Sequence, residues 1–157
     1  MKSDLILKNK HFNCLLCELN NLEKDRVYCK HDISHLVEVA RIMLLINKKE
    51  GLNLPHDTVV ASALLHDLGR VYQYKFNLEH RTSANKDIIT ILTNCNYTYN
   101  EIDSILLAIN NHDKKTSDKL SALLFRADKL SRPCYICKAK GCYWDSTKRN
   151  KEYYKWK

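Results

Sequence analysis

The chain has 157 residues, of which 45% are hydrophobic and 28% charged, and it contains only three glycines and two prolines. This length suits one domain, and so few turn-forming residues argue against a multi-stranded β fold, a collagen-like repeat or a disordered chain. The net charge is +8, the apolar runs are too short to span a bilayer and no signal-peptide pattern opens the sequence, so we expect a cytoplasmic protein without a membrane partner.

Helical periodicity dominates the sequence. In chain order it predicts six helices, over about residues 10–24, 32–49, 55–69, 80–94, 98–111 and 117–131, with a tyrosine-bearing loop between the third and the fourth. Asp32 is a candidate cap for the second helix, a capping box opens the fifth at Thr98, and Pro133 closes the sixth. The pattern therefore predicts an all-α fold built as one compact helical bundle.

The composition changes after Pro133. Residues 138–157 carry seven basic side chains against two acidic ones, and five of the 14 aromatic residues lie there as well. We expect a helical domain over residues 1–133 and a Cys-rich, basic and aromatic tail over residues 134–157, packed on the domain or extending from it. Such a tail could bind nucleic acid or another polyphosphate, or could be a solubilising end whose aromatic side chains dock on the domain.

Several polar side chains interrupt the apolar stripes of the predicted helices: His35, His66, Asp67, His112 and Asp128. A buried carboxylate without a partner is strongly destabilising. One buried histidine is ordinarily a core residue, but a set spread over separate helices can satisfy its members only if they converge. A divalent cation is the simplest shared partner, and imidazole combined with carboxylate favours Fe, Mn, Co, Ni or Zn over Ca.

The same residues carry a resemblance to a known family. The segments His35-Leu-Val-Glu-Val-Ala, Ala-Leu-Leu-His66-Asp67-Leu-Gly-Arg70 and Arg126-Ala-Asp128 are similar to those of the HD-domain metal-dependent phosphohydrolase superfamily, which is named for its adjacent His–Asp pair. The resemblance covers about residues 28–132. It implies an enzyme that cleaves a phosphoester or phosphoanhydride bond of a nucleotide-like small molecule with metal-activated water.

The resemblance also implies a set of metal ligands. By position, the first metal site would be formed by His35, His66, Asp67 and Asp128. His80 and His112 match the additional histidines of dinuclear members, in which the aspartate of the pair bridges both ions, so Asp67 would be the bridge. We expect one or two divalent transition metal ions, Fe, Mn, Co, Ni or Zn, as the cofactor. His31 and Asp32 are expected to cap a helix and support the ligands.

Asp67 and Arg70 are the candidate catalytic residues. Asp67 would orient the attacking water, and Arg70 stands where many members have a lysine, which keeps a cation for a substrate phosphate. Arg81, Lys129 and Arg132 lie close in sequence to the expected ligands and could contact phosphate oxygens or could be solvated surface charges. The expected partner is a small phosphorylated substrate. The alternative function, drawn from the basic tail, is a nucleic-acid-binding or regulatory module with the same fold.

The seven cysteines suggest a second, structural metal site. Cys134, Cys137 and Cys142 lie within nine residues, at the close spacing that tetrahedral zinc sites favour. Cys29 is expected as the fourth ligand, because it precedes His35 by six residues as Cys134 follows Asp128 by six. If the two helices run antiparallel, both cysteines reach the same end of the bundle.

Three alternatives to this zinc site stay open. Cys14 and Cys17 form another Cys-x-x-Cys pair that could supply ligands. An iron–sulfur cluster is a competing cargo for the same thiolates. The cysteines could also be free thiols near a polar tail.

Overall fold

Helices make up the regular secondary structure of the computed structural model, which describes residues 1–112, 116–139 and 141–142. Within those residues there are eight helices and no strand, so the all-α fold expected from the sequence is confirmed. The helices are α1 Lys2–Lys8, α2 Lys10–Leu22, α3 Ile33–Lys49, α4 His56–Leu65, α5 Arg70–Phe76, α6 Asn85–Asn94, α7 Tyr99–Asn111 and α8 Lys119–Leu130. None of the helices in the described ranges is long and apolar enough to cross a membrane.

Capping side chains determine where the longer helices begin. The Asp32 carboxylate accepts a hydrogen bond from the backbone N–H of His35 and caps α3. Thr98 and Glu101 form the capping box of α7, as the sequence predicts. The Asp118 carboxylate accepts a hydrogen bond from the backbone N–H of Ser121 at 2.8 Å, so α8 begins at Lys119. The caps at Asp32 and Asp118 thus determine where α3 and α8 begin, and these two helices carry His35 and Asp128.

Two short helices, α1 and α5, do not follow from periodicity. Helix α1 is held by tertiary contacts, because the Asp57 carboxylate accepts from the backbone N–H and the hydroxyl of Ser3 at 3.1 and 2.7 Å. Helix α5 lies where the sequence predicts a tyrosine-bearing loop. It buries only Val71, so its sequence lacks the apolar stripe from which a helix is predicted. The expected fourth helix is also shorter than predicted, since residues 80–84 form turns before α6 begins at Asn85.

Helix α4 lies at the centre of the core, and its interior residues from Val59 to Leu65 are almost all buried. It packs mainly on α3 and α7, and α8 packs on both of these helices. After α4 the chain turns through Gly69, where an added Cβ would overlap the carbonyl oxygen of His80. This close approach, which only glycine allows, brings the segment around His80 against the end of α4.

The tail that the sequence distinguishes is described only in part. Helix α8 ends at Leu130, and residues 134–139 and 141–142 follow it as turns and irregular chain. The basic and aromatic positions from Tyr143 onward lie outside the described residues. The division into a domain over 1–133 and a tail over 134–157 therefore stays a prediction.

Candidate metal centre

Three helices bring four of the predicted ligands to one point. His35 lies in the first turn of α3, His66 and Asp67 directly follow α4, and Asp128 lies in the last turn of α8. One donor atom from each of these residues falls within 4.8 Å of the others. The Nε2 atom of His35 lies 3.5 Å from Asp67 Oδ2 and 3.4 Å from Asp128 Oδ1. Four donors at these separations surround a space that suits one metal ion.

A second group shares Asp67 with the first. It consists of Asp67, His80 and His112, whose donor atoms also lie within 4.8 Å of one another. His112 directly follows α7 and is buried, whereas His80 lies in the turns before α6 and is half-buried. The ring of His112 is 5.5 Å from the rings of both His66 and His80, measured between centroids. The structure thus brings together all six histidine and aspartate residues that the sequence predicts as ligands.

Backbone carbonyls orient two of the imidazoles. Nδ1 of His66 lies 2.8 Å from the carbonyl oxygen of Ala63, and Nδ1 of His112 lies 2.6 Å from that of Ile109. Because a carbonyl oxygen only accepts hydrogen bonds, each Nδ1 carries the proton and each Nε2 presents a lone pair. This is the arrangement by which proteins set the tautomer of metal-binding histidines.

The donor atoms fit a cation better than they fit one another. Nε2 of His66 lies 2.8 Å from Oδ2 of Asp67, but with the proton on Nδ1 both atoms are acceptors. Among the described residues, these two atoms and Nε2 of His35 are buried and make no hydrogen bond. A buried polar atom left in this state destabilises a fold by about 1–3 kcal/mol. A divalent transition metal accepts lone pairs from imidazole and carboxylate alike, so the residues fit such an ion.

Electrostatics keep both aspartates ionised. Burial alone raises the pKa of the Asp67 carboxyl, but the Arg70 guanidinium beside it holds the pKa well below its usual value. The pKa of Asp128 is lowered against burial in the same way, by His35, Arg132 and Lys129. For His35, burial lowers the pKa, yet the nearby Asp128 and Asp67 carboxylates raise it to about 9. A protonated His35 would have to lose its proton in order to bind a metal ion, so the affinity of this group for metal would depend on pH.

A cavity of about 930 Å³ opens beside the two groups. Asp128, His80 and His112 line it together with four cationic side chains, those of Arg26, Arg70, Lys129 and Arg132. Three of these cations also contact ligand carboxylates: Nε of Arg70 lies 2.7 Å from Asp67 Oδ1, Nζ of Lys129 lies 2.6 Å from Asp128 Oδ2, and Arg132 lies 3.3 Å from Asp128 Oδ1. Positive charge in the cavity favours an anionic ligand.

Three of the four cations predicted to contact phosphate lie at the cavity, and the fourth does not. Arg70, Lys129 and Arg132 line the cavity, whereas Arg81 pairs with the carboxylate of Glu79. Arg26 also lines the cavity, although no sequence pattern singles it out. It lies in a run of charged residues after α2, where exposure is the ordinary expectation.

A buried pair next to Asp67, formed by Glu23 and His31, was also missed by sequence reasoning. Both side chains are 2% exposed, and Nδ1 of His31 lies 2.6 Å from Oε1 of Glu23. Tyr74 donates its hydroxyl to the same carboxylate oxygen at 2.7 Å. Nε2 of His31 points toward the metal centre, 3.9 Å from Asp67 Oδ2. His31 therefore lies beside Asp67, and Asp32 caps α3 as expected, whereas the sequence does not single out the buried carboxylate of Glu23.

We expect Glu23→Gln to lower the free energy of unfolding by about 2 kcal/mol at neutral pH, because it removes a charged hydrogen-bond acceptor shared by His31 and Tyr74. Burial raises the pKa of Glu23, but the bonds from His31 and Tyr74 outweigh it and lower the pKa to about 2. The stabilisation is thus complete above the unfolded-state pKa of about 4.5 and fades as pH falls from there toward 2.

Urea unfolding of both proteins at several pH values measures this effect. Glu38→Gln is the matched control, since Glu38 forms an exposed pair with Arg41 and its loss should change stability by less than about 0.5 kcal/mol. A difference between wild type and Glu23→Gln that stays constant from pH 7 to pH 3 would contradict the assignment of an ionised, buried Glu23.

Comparisons with known proteins agree with this geometry. The family model described as "HD domain" matches residues 32–132. A protein of Clostridium beijerinckii, described as an uncharacterized protein, is 37% identical over 153 residues, and the match covers 91% of this chain and 98% of the relative. No solved structure matches the chain.

Proposed function

The chain belongs to the HD-domain family, whose members are in general metal-dependent phosphohydrolases, and on that premise we propose that it cleaves a phosphoester or phosphoanhydride bond in a small nucleotide-like molecule. One observation carries this proposal: two groups of donors, most of them buried, share Asp67 beside a cavity lined by cations. Membership of this family implies that the chain binds divalent metal ions.

We assign two metal positions. The first is formed by His35, His66, Asp67 and Asp128, and the second by His80 and His112 with Asp67 shared between them. The mixed imidazole and carboxylate set suits Fe, Mn, Co, Ni or Zn. When bound, such ions supply Lewis acidity at the phosphoryl oxygens and lower the pKa of water near the phosphorus.

The side chains around the ligands hold them in position for this chemistry. Arg70 binds Oδ1 of Asp67 and so leaves Oδ2 directed at His35 and His66. Lys129 and Arg132 hold Asp128 through its two oxygens. Contacts of this kind to metal-binding carboxylates fix their orientation and raise metal affinity. Because Arg70 remains charged, it keeps Asp67 ionised and unable to donate a proton.

The cavity supports a small substrate that carries phosphate. Its volume of about 930 Å³ lies within the range of small-molecule sites. Arg70, Lys129 and Arg132 each have further N–H groups beyond those bound to carboxylates, and a guanidinium matches two phosphate oxygens at once. Arg26 adds a fourth charge at the cavity wall. Together they favour a substrate with more than one negative charge.

A substrate panel tests the proposal. Purified protein is incubated with nucleoside mono-, di- and triphosphates, dinucleoside polyphosphates, cyclic dinucleotides and generic phosphoesters, each with Mn²⁺, Fe²⁺, Co²⁺, Ni²⁺ or Zn²⁺. We expect at least one substrate to be turned over, and a chelator to abolish that turnover because every catalytic step needs the occupied site. Release of phosphate or nucleotide is followed by chromatography.

Rates equal to those of metal in buffer across the whole panel would contradict the enzymatic function. The alternative, a nucleic-acid-binding or regulatory module, would then be the better account. It depends on basic and aromatic residues from Tyr143 onward, which lie outside the described residues, and a filter-binding assay with single- and double-stranded nucleic acid would test it.

A further inference from the structure

Four cysteines approach one another at the end of the bundle that holds the metal centre. The start of α3 and the end of α8 meet there, since Nδ1 of His35 lies 3.3 Å from the hydroxyl of Ser131. Cys29 lies four residues before α3 and Cys134 four residues after α8. The packing of these two helix ends therefore brings the segments that carry both cysteines to the same region.

The segment after α8 folds into turns that suit a metal-binding Cys-x-x-Cys pair. The backbone N–H of Cys134 donates to the carbonyl of Arg132 at 2.8 Å, and that of Ile136 donates to Pro133 at 3.2 Å. The N–H of Cys137 then donates to the carbonyl of Cys134 at 3.3 Å. Two cysteines three positions apart on such a turn are the most frequent half of a tetrahedral zinc site.

A hydrogen bond links the two segments that carry the remaining cysteines, Cys29 and Cys142. The hydroxyl of Tyr28 donates to the carbonyl of Gly141 at 3.1 Å, and these residues directly precede Cys29 and Cys142. Cys29 and Cys142 both line the cavity next to the His/Asp groups. The backbone of Gly141 has a φ of +69°, which glycine adopts without strain and which turns the chain back toward Tyr28.

The environment of Cys29 agrees with this proximity. Burial raises the pKa of its thiol, Arg132 opposes that effect, and Cys134, Cys137 and Cys142 each raise the pKa further. All four thiols are half-buried and none forms a disulfide. Their sulfurs do not form a closed set, because the groups of donors within 4.8 Å among the described residues are the two that contain Asp67. The thiols thus lie near one another in an open arrangement that a bound ion would close.

We propose that Cys29, Cys134, Cys137 and Cys142 bind one structural Zn²⁺, separate from the His/Asp centre. Four thiols lose their protons to solvent on binding, and four S–Zn bonds form without any change of oxidation state. Arg132, whose charge reaches Cys29, offsets part of the negative charge of the thiolates. The bound ion fixes the segment that carries Cys134, Cys137 and Cys142 against the start of α3, and Gly141 and Cys142 of this segment line the cavity.

Cys14 and Cys17 are the internal comparison. They form a Cys-x-x-Cys pair on the surface of α2, where both side chains are exposed. Neither of them lines the cavity, whereas Cys29 and Cys142 do. The proposed zinc site therefore does not include them, and their serine variants are matched controls.

The test uses Co²⁺ in place of Zn²⁺ in the purified 157-residue chain, because thiolate ligands give Co²⁺ a strong near-ultraviolet charge-transfer absorption that imidazole and carboxylate do not. We expect this absorption in the wild type and in Cys14→Ser and Cys17→Ser, and its loss in Cys137→Ser and Cys142→Ser. Zinc analysis of the proteins as purified should fall by about one equivalent per chain in the same two variants.

Two controls keep the result decisive. Asp67→Ala disables the His/Asp centre but should leave the thiolate absorption intact, which separates the two sites. Cys142 lies beyond the last helix of the described chain, so its serine variant should fold even if Cys29→Ser does not. Wild-type protein without thiolate absorption, equal zinc in wild type and Cys142→Ser, or acid-labile sulfide indicating an iron–sulfur cluster would each overturn the proposal.

Discussion

Replacing Asp67 with alanine is expected to lower kcat/KM by ~10³-fold or more. Loss of a single residue that merely supports a metal ligand typically reduces affinity or activity 10–100-fold. Asp67 contributes to both donor groups, so its removal disrupts both metal positions at once. Metal content measured by mass spectrometry should fall together with the rate, and a steady-state assay on the substrate found in the panel measures that rate.

The helices of Asp67→Ala should persist because Asp67 lies in the turns after α4, although the variant leaves Arg70 without its carboxylate partner and so should unfold more easily than the wild type. Circular dichroism checks this point. Asp103→Ala is the control, since Asp103 is exposed on α7 and should retain both metal content and activity. Normal metal content and normal turnover in folded Asp67→Ala would show that the site is assigned wrongly.

Replacing His112 with alanine is the second prediction with a large effect. His112 belongs only to the second donor group, and its Nδ1 is held by the carbonyl of Ile109 so that Nε2 is directed at that group. We expect bound metal to fall from two equivalents toward one and kcat to fall by about 100-fold, because one ion of a two-ion clamp is lost. Isothermal titration with Mn²⁺ counts the sites before and after the change.

His56 supplies the control for this experiment. It is exposed at the first position of α4, and His56→Ala should bind as much metal as the wild type. His80→Ala should behave like His112→Ala, since both belong to the same group. Wild-type protein that saturates at one ion, with His112→Ala unaffected, would reduce the centre to a mononuclear one.

Much of the candidate site could be predicted from sequence because its residues violate a simple rule. His66, Asp67 and Asp128 are buried polar residues that follow apolar residues at the ends of α4 and α8, and that conflict shows in the linear pattern without any knowledge of the fold. The capped starts of α3 and α7 could be predicted for a similar reason, since Asp32 and Thr98 bond to residues only three positions away.

The missed features depend on contacts between distant residues. Glu23 ends a helix among other charged residues, and only the packing of Tyr74, 51 residues later, and His31 places it in the interior. Helix α1 is likewise held by Asp57, more than 50 residues away. No local sequence pattern indicates these pairings, because in the sequence alone each partner resembles an ordinary polar surface residue.

The most direct test of the two-metal centre is anomalous diffraction from a crystal of the protein grown with Mn²⁺. We expect two manganese peaks about 3.5–4 Å apart on either side of Asp67, one bound by His35, His66 and Asp128 and the other by His80 and His112. A map whose manganese peaks all lie away from Asp67 would contradict the account.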